Sequence, residues 1–347
     1  MGSSMILWIA AMILWAAGFL LLPRLRSCVP ARSHDQDKDV SVIIPARNEE
    51  RNLPKLLQSL ANQPIRPLEI LVVDDGSTDR TSAVAAEFGA TVIASRPLPD
   101  GWRGKTWACH QGALAAKGKL LLFVDADAWF GPAGLVRILA NYQGGAFSLC
   151  PYHSVQKPYE ELSLFFNLNM VMGTVPGGLF GQMLLVDAES YRRAGGHGAV
   201  KGRILENLQL SNEFIACGIS VGSAAGRGVF AFRMYPNGLR ELIEGWTKAF
   251  ASGAGQTPPG ILLLIIAWKF GLMLAPLGWL LTGDWLRWGA AYLLCAMQVT
   301  WFSRKVGSFR YAFLYPVSLT FFFVIFAWSV MRSGKQVRWK GREIRAD

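Results

Sequence analysis

The sequence has no Cys-x-x-Cys pair. Its five cysteines, Cys28, Cys109, Cys150, Cys217 and Cys295, are odd in number and far apart, so neither a disulfide framework nor a cysteine zinc site is indicated. Two glycine patterns of nucleotide-binding folds are also missing. Gly104-Lys105-Thr106 looks like the end of a P-loop, but that motif needs a glycine five residues before Gly104, where Pro99 stands. No Gly-x-Gly-x-x-Gly follows a strand-like run, which removes the fingerprint of a dinucleotide-dependent dehydrogenase. Acidic residues are scarce, 24 against 35 Lys and Arg, for a net charge of +11. The excess sits beside apolar runs, so anionic membrane lipids are the expected partner. It is not interleaved with an aromatic base-stacking platform, so no nucleic acid partner is expected.

The few acids present are placed in a pattern. Glu69-Ile70-Leu71-Val72-Val73 runs into Asp74-Asp75-Gly76-Ser77-Thr78-Asp79, and Leu120-Leu121-Leu122-Phe123-Val124 runs into Asp125-Ala126-Asp127. A third strand-like run, Val40 to Ile44, leads into Pro45-Ala46-Arg47-Asn48-Glu49-Glu50. These strands alternate with helical stretches, so a mostly parallel α/β sheet is expected, with all three strand ends at one edge. Ligands of open α/β sheets bind in the crevice beyond the carboxyl ends of the strands. An isolated Asp-x-Asp is usually a helix cap or a solvated turn, but three converging strand ends change that reading. A short Asp-x-Asp can grip a divalent metal that also takes phosphate oxygens, which points to a nucleotide-diphosphate ligand. Asp79 is expected to cap the helix beginning near Thr81.

Apolar residues are plentiful, at 52% of 347, enough for one domain of about 200 residues plus membrane segments. Met5 to Leu22 is apolar and ends at Arg24 and Arg26. A cleavable signal peptide would carry positive charge ahead of that run, and none is present, so an uncleaved anchor is expected over 1–26. Residues 27–39 read as a polar linker. Beyond an α/β domain at 40–255 lie three apolar runs, Ile261 to Thr282, Trp285 to Phe302 and Tyr311 to Met331, each about long enough to cross roughly 30 Å of hydrocarbon. Three crossings would put the basic tail at 332–347 opposite Arg24 and Arg26, against the positive-inside rule. Ile261 to Thr282 is therefore expected to be interfacial or re-entrant, because it carries Pro276 and Lys269, and a central lysine costs about 2.5–3.5 kcal/mol. The expectation is a multi-pass cell-membrane protein with its α/β domain on the cytoplasmic side.

Taken together, Pro45 to Glu49, Asp74 to Asp79, Lys105 in a Gly-Lys-x-x-Ala frame and Asp125-x-Asp127 resemble the family 2 glycosyltransferases, whose nucleotide-sugar fold is called GT-A. Gly195-Gly196-His197, Phe232 to Pro236, Glu244 to Lys248, Ser252 to Gly255 and Trp339 to Arg342 are similar to the carotenoid-acid branch of that family. The match runs from about residue 40 to about 343. It implies an inverting transfer of a hexose, glucose from UDP-glucose, to the carboxylate of a C30 carotenoid acid. It also implies Mg or Mn held by Asp125 and Asp127, with Asp127 the first choice and Asp125 sharing the metal or holding the ribose. Asp74 or Asp75 would accept from the nucleobase or ribose, Lys105 would lie near the base and diphosphate, and Pro45, Asn48 and Glu49 would complete that pocket. Other readings are a polyprenyl phosphate, hopanoid or glycerolipid acceptor, or a catalytically inactive nucleotide-binding scaffold.

On the acceptor side, many relatives carry an acid where this chain has Asn207, and that acid is taken as the base for an acceptor hydroxyl. Either Glu206 takes over as base, or the acceptor is already a carboxylate and Glu206 positions it. Arg203, Arg233 or Lys248 would then draw the carboxylate in. His197 either contacts the diphosphate or acceptor or closes a turn. Leu162 to Leu185, broken by Gly173, Pro176, Gly177 and Gly178, is expected to line a groove for an apolar acceptor. Processive synthases of the family carry Gln-x-x-Arg-Trp; here the frame is Leu242-Ile243-Glu244-Gly245-Trp246, so a polymerase is not expected. Trp246 would stack near the acceptor or anchor at the interface.

Overall fold

The computed structural model describes residues 2–21, 25–29, 39–175, 177–203, 206–253, 257–332, 337–339 and 342–344. The chain forms two compact units: Arg26–Tyr152 with Pro176–Arg233, and Met1–Leu25 with His153–Val175 and Met234–Asp347. This division differs from the expected 40–255 segment. Residues 153–175 and the chain after 233 group with the apolar helices, and Arg26–Ser27 is already a strand of the sheet. Most of the expected linker, 30–38, lies outside the described residues.

Elements are numbered in chain order. In the α/β unit the strands β1 (Arg26–Ser27), β2 (Val40–Ala46), β3 (Glu69–Asp74), β4 (Thr91–Ala94), β5 (Leu120–Val124), β7 (Ala146–Cys150), β9 (Met183–Asp187) and β10 (Val221–Ala225) form one sheet in the order β1-β10-β7-β9-β5-β2-β3-β4. Only β9 runs against its neighbours, β5 and β7. Every residue of β5 is buried, as a run of Leu, Phe and Val covered on both faces should be. The flanking helices are α3 (Leu53–Ala61), α4 (Thr81–Glu87), α5 (Gly104–Ala115), α6 (Gly134–Asn141), α8 (Ala188–Arg193), α9 (Gly196–Ala199) and α10 (Glu206–Ala216). In α3 the buried residues Leu53, Leu56, Leu57 and Leu60 fall at helical spacing and make one apolar stripe. α5 lies close upon β2: a Cβ at Gly112 would run into the Ile43 side chain.

The topology builds the expected edge. β2 pairs in parallel with β3 on one side and β5 on the other, with Ala46 opposite Asp74 and Ile43 opposite Phe123. The chain moves outward through β3 and β4 and then returns across β2 to β5. That reversal is the switch point at which α/β sheets open a crevice. Just beyond β5, β6 (Ala128–Phe130) pairs antiparallel with β11 (Phe230–Phe232). In each, the outer two residues are buried and the middle one is partly exposed. β8 (Tyr152–His153) lies where the chain passes from one unit to the other.

The second unit is helical: α1 (Gly2–Ala16), α2 (Gly18–Leu21), α7 (Leu164–Thr174), α11 (Leu239–Gly253), α12 (Pro259–Thr282), α13 (Trp285–Val306) and α14 (Tyr315–Arg332), with a tail hairpin of β12 (Val337–Trp339) and β13 (Arg342–Ile344). Three segments are long and apolar enough to cross a membrane: Ser4–Leu21, Pro259–Thr282 and Ala312–Met331. Ile261 to Thr282, expected to be interfacial or re-entrant, lies in a continuous 24-residue helix that is long and apolar enough to cross, whereas α13, carrying Arg287, Arg304 and Lys305, does not reach that measure.

Both features that argued against α12 have local compensation. Lys269 is buried, donates to Asn169 Oδ1 at 2.7 Å and lies 3.3 Å from the centre of the Phe322 ring. Pro276 has no N–H for the carbonyl one turn back, Leu272, and that oxygen accepts from the Tyr315 hydroxyl at 3.0 Å. Neighbouring groups that satisfy freed carbonyls are what allow proline in apolar helices. α1 and α12 cross closely, since a Cβ at Gly271 would meet the backbone of Leu14 and Trp15. The groove expected over Leu162 to Leu185 is also revised. α7 runs straight through Gly173, and Phe165, Phe166, Leu168 and Val171 are core residues. Phe166 stacks on Trp246 at 4.5 Å and Phe165 packs 5.9 Å from Trp268, so these side chains fill space instead of lining it.

Candidate active site

The loops after β2 and β3 hold each other. Asn48, in left-handed backbone at φ 55°, donates its amide to Ser77 Oγ at 3.0 Å and accepts from the Thr78 amide at 2.8 Å. The Glu49 amide donates to Thr81 Oγ1, and the Glu50 amide to Asp79 Oδ2. Asp79 also accepts from the Thr81 amide at the start of α4, although the N-cap position itself is held by Arg80 and not, as expected, by Asp79. Its burial would raise the carboxyl, but the Thr81 and Glu50 hydrogen bonds outweigh that and hold it below the usual value. Much of both motifs is therefore a clasp that fixes the crevice wall.

That clasp separates the two adjacent aspartates. Asp74 accepts from the Ser77 amide at 2.8 Å and from the Ser82 hydroxyl, so it shapes the turn. Asp75 lies beside Arg47, whose guanidinium donates to the Asp75 carbonyl at 3.1 Å and comes within 3.7 Å of its carboxylate. The two aspartates therefore make different contacts, Asp74 within its own loop and Asp75 with Arg47. Glu49, expected in the pocket, is buried and accepts from Asn52 Nδ2 at 2.7 Å while its carbonyl starts α3. Pro45 stays within the ladder opposite Val73.

The other wall is an ion cluster. Lys105, in the first turn of α5, places Nζ 2.7 Å from Asp125 Oδ1, 2.6 Å from Glu206 Oε1 and 3.0 Å from the Gly181 carbonyl. Burial pulls its ammonium down, but the Asp125 and Glu206 carboxylates reverse this and hold it well above the ordinary lysine range. Glu206 is buried at the head of α10. The next residue, Asn207, is also buried and donates Nδ2 to the carbonyls of Phe180 at 2.9 Å and Gly181 at 3.2 Å. An aspartate there would aim a carboxylate at two carbonyl oxygens. The amide is what the local backbone requires.

Asp127 is exposed just past the end of β5. The β6–β11 register pairs Phe232 with Ala128, so Arg233 comes next to Asp127 at the following step. His197 is not at the surface. Its Nδ1 is 2.7 Å from the Tyr191 hydroxyl, its ring packs 4.8 Å from Phe123, and burial, followed by the nearby Lys105 charge, lowers it to about 3. The imidazole is thus a neutral core group behind Lys105, and the turn-closing reading describes it better than ligand contact. Arg203 is exposed. Trp246 belongs to the helical unit, where its indole donates to Ser163 Oγ at 3.0 Å and is buried; it is neither an exposed stacking platform nor an interfacial anchor. Lys248 lies on α11 with its side chain outside the described residues.

Residues 41–164 match the family model for glycosyl transferase family 2. Over 98% of this chain and 97% of the relative, the sequence is 35% identical to the 4,4'-diaponeurosporenoate glycosyltransferase of Staphylococcus aureus strain USA300, and 34% identical over the same shares to that of strain MRSA252. The chain is a family 2 glycosyltransferase. Among solved structures, the mannosyltransferase PcManGT from Pyrobaculum calidifontis, in complex with GDP-Man and Mn2+, matches with a TM-score of 0.55 at 18% identity, covering 93% of this chain and 99% of that one. The α/β unit thus has the GT-A-like fold.

For a family 2 glycosyltransferase the donor set at the β5 end fits a divalent cation of the magnesium type. Among the described residues no three His, Cys, Asp or Glu side chains converge, so an all-protein cage is absent. Such cations commonly take one or two carboxylates and leave the remaining positions to phosphates and water. Asp127 and Asp125 match that pattern, with Lys105 already beside Asp125. Arg47 and the Gly181 carbonyl were not singled out from sequence; neither a lone arginine in a strand-end loop nor a main-chain oxygen leaves a distinctive pattern. An open cleft of about 760 Å³, lined by Lys117, Lys119, Asp187 and Arg192, lies at the opposite, amino end of β5 and takes no part in this site.

Proposed function

We propose that this membrane-associated glycosyltransferase moves a hexose, glucose from UDP-glucose, onto the carboxylate of a C30 carotenoid acid, with inversion at the anomeric carbon. The observation that carries the reading is the head of α10. Glu206 is paired with Lys105, and Asn207 is a neutral amide committed to the Phe180 and Gly181 carbonyls. A hydroxyl nucleophile needs an adjacent base to take its proton, whereas a carboxylic acid of pKa about 4–5 is already ionised at neutral pH. The name of the 35%-identical relative supports the same acceptor class.

In this mechanism the loops after β2 and β3 seat the nucleoside, with Asp75, oriented by Arg47, accepting from the base or ribose. Asp127 and Asp125 would hold a divalent metal. When bound, the metal stabilises charge on the departing diphosphate. Lys105 adds a fixed positive charge at the same edge. Glu206, through Lys105, keeps that charge in place. The acceptor carboxylate attacks the anomeric carbon from the side opposite the diphosphate; the bond to the diphosphate breaks as the ester bond forms, and no proton is transferred.

The test is transfer by membranes containing the full chain, with UDP-glucose and either the C30 acid or its alcohol analogue. The acid should give a sugar ester, and Glu206→Gln should keep measurable transfer to it. Preference for the alcohol, with a loss in Glu206→Gln of about a hundred- to ten-thousandfold, the size of a lost general base, rejects the ester mechanism.

The orientation follows from charge. Arg24, Arg26 and the basic tail should all be cytoplasmic. A cysteine placed at position 345 should resist an impermeant thiol reagent in intact cells; ready labelling reverses the topology.

A further inference from the structure

The face of the β6–β11 ladder next to Asp127 carries groups that the nucleotide-binding reading leaves unused. Along β6, Ala128 and Phe130 are buried while Trp129 is partly exposed, and β11 repeats the pattern with Phe230 and Phe232 buried. Alternate residues of a strand share a face, and so do residues directly opposite across an antiparallel pair. Trp129 and Ala231 therefore share the side away from the phenylalanine core, and Asp127 and Arg233 are the residues just beyond the paired ends of the two strands. Opposite Trp129 stands Ala231.

A cation reaches this face from α3. Lys55 is exposed, and its ammonium lies 2.9 Å from the centre of the Trp129 ring. Partial burial, and then the Arg233 charge, lower its pKa. Among the described residues no carboxylate forms an ion pair with Lys55. Two cations at this ladder, one of them held on an aromatic ring, are suited to an anion that also carries flat apolar surface. The attraction of the ammonium to the indole ring favours this position of Lys55 while leaving its protons available to a ligand.

We propose that Lys55, held on the Trp129 ring, and Arg233, at the adjoining end of the β6–β11 ladder, form the subsite that receives the acceptor's carboxylate. This rests on the carboxylate reading above. The pairing keeps the nucleophile ionised.

Membranes containing the full chain are assayed with UDP-glucose, a C30 carotenoid monoacid as acceptor, and its alcohol analogue as competitor. Lys55 is exposed, so Lys55→Met should fold normally. It should raise KM for the acid about tenfold or more, the scale of one charge-assisted hydrogen bond. KM for UDP-glucose, the metal requirement and the inhibition constant of the alcohol should stay unchanged, and Lys55→Arg should restore the acid KM. An unchanged acid KM overturns the proposal, as does a shift that appears in the UDP-glucose KM instead, which would assign Lys55 to the diphosphate. If the wild-type protein forms no ester from the acid with any sugar nucleotide, the carboxylate reading falls and this subsite with it. Ester formation that ignores Lys55 removes the subsite alone.

Discussion

Asp127→Ala is expected to lower the rate of transfer about a thousandfold while leaving the protein folded. Asp127 is exposed beyond β5, so its carboxylate contributes little to packing. Stabilising the departing diphosphate is worth several kcal/mol where a metal does it, and each 1.4 kcal/mol or so is a factor of ten in rate. Release of UDP would be followed in the wild type and in Asp127→Ala, in EDTA and after adding back Mn2+ or Mg2+. The wild type should lose activity in EDTA and regain it with metal, whereas Asp127→Ala should stay low throughout. Full wild-type activity in EDTA removes the metal assignment, and a loss of less than about tenfold in Asp127→Ala removes its leading ligand.

The sheet and its acidic edge were legible because they rest on local pattern. Continuous apolar runs such as Leu120 to Val124 can only be buried strands, and parallel connection forces their carboxyl ends to one side. What each motif residue does there was less legible. Asp74 and Asp75 are equivalent in sequence, but only the loop geometry turns one toward Ser77 and Ser82 and the other toward Arg47. Glu49 looked like a ligand because it is charged and stands at a strand end; Asn52, three residues on, takes its carboxylate.

The larger departures have one physical origin, compensation by residues distant in sequence. Lys269 and Pro276 argue against a continuous apolar helix when α12 is read alone. Asn169, Phe322 and Tyr315, which answer them, lie on other helices. His197 and Trp246 are similar. Each is a polar aromatic in a plausible acceptor segment, and each is buried against a partner hydroxyl, Tyr191 or Ser163, that periodicity cannot reveal. Asn207 was noticed as a departure from relatives, but the carbonyls of Phe180 and Gly181 that explain it are main-chain atoms in a Gly-rich turn.

Lys105→Met should destabilise the α/β unit. The ammonium lies within 2.7 Å of both the Asp125 and Glu206 carboxylates, and the Glu206 side chain is only 8% exposed. Removing the cation leaves two carboxylates facing each other with no positive charge between them. Breaking a fully buried pair costs about 3–5 kcal/mol. Lys105 keeps 36% of its side chain exposed, so solvent screening reduces the expected loss to about 2–3 kcal/mol. The sign of the pH dependence separates this cause from a simple packing defect. Two facing carboxylates repel only while both are charged, so the deficit should be full at neutral pH and shrink as the solution is made acidic. Thermal unfolding of the full chain in detergent, at several pH values, reads it directly. Lys105→Met with Glu206→Gln removes the repulsion and should be more stable than Lys105→Met alone, although one ion pair poorer on paper. A deficit that does not change with pH, or a double variant less stable than the single, would show that Lys105 acts through packing instead of through charge.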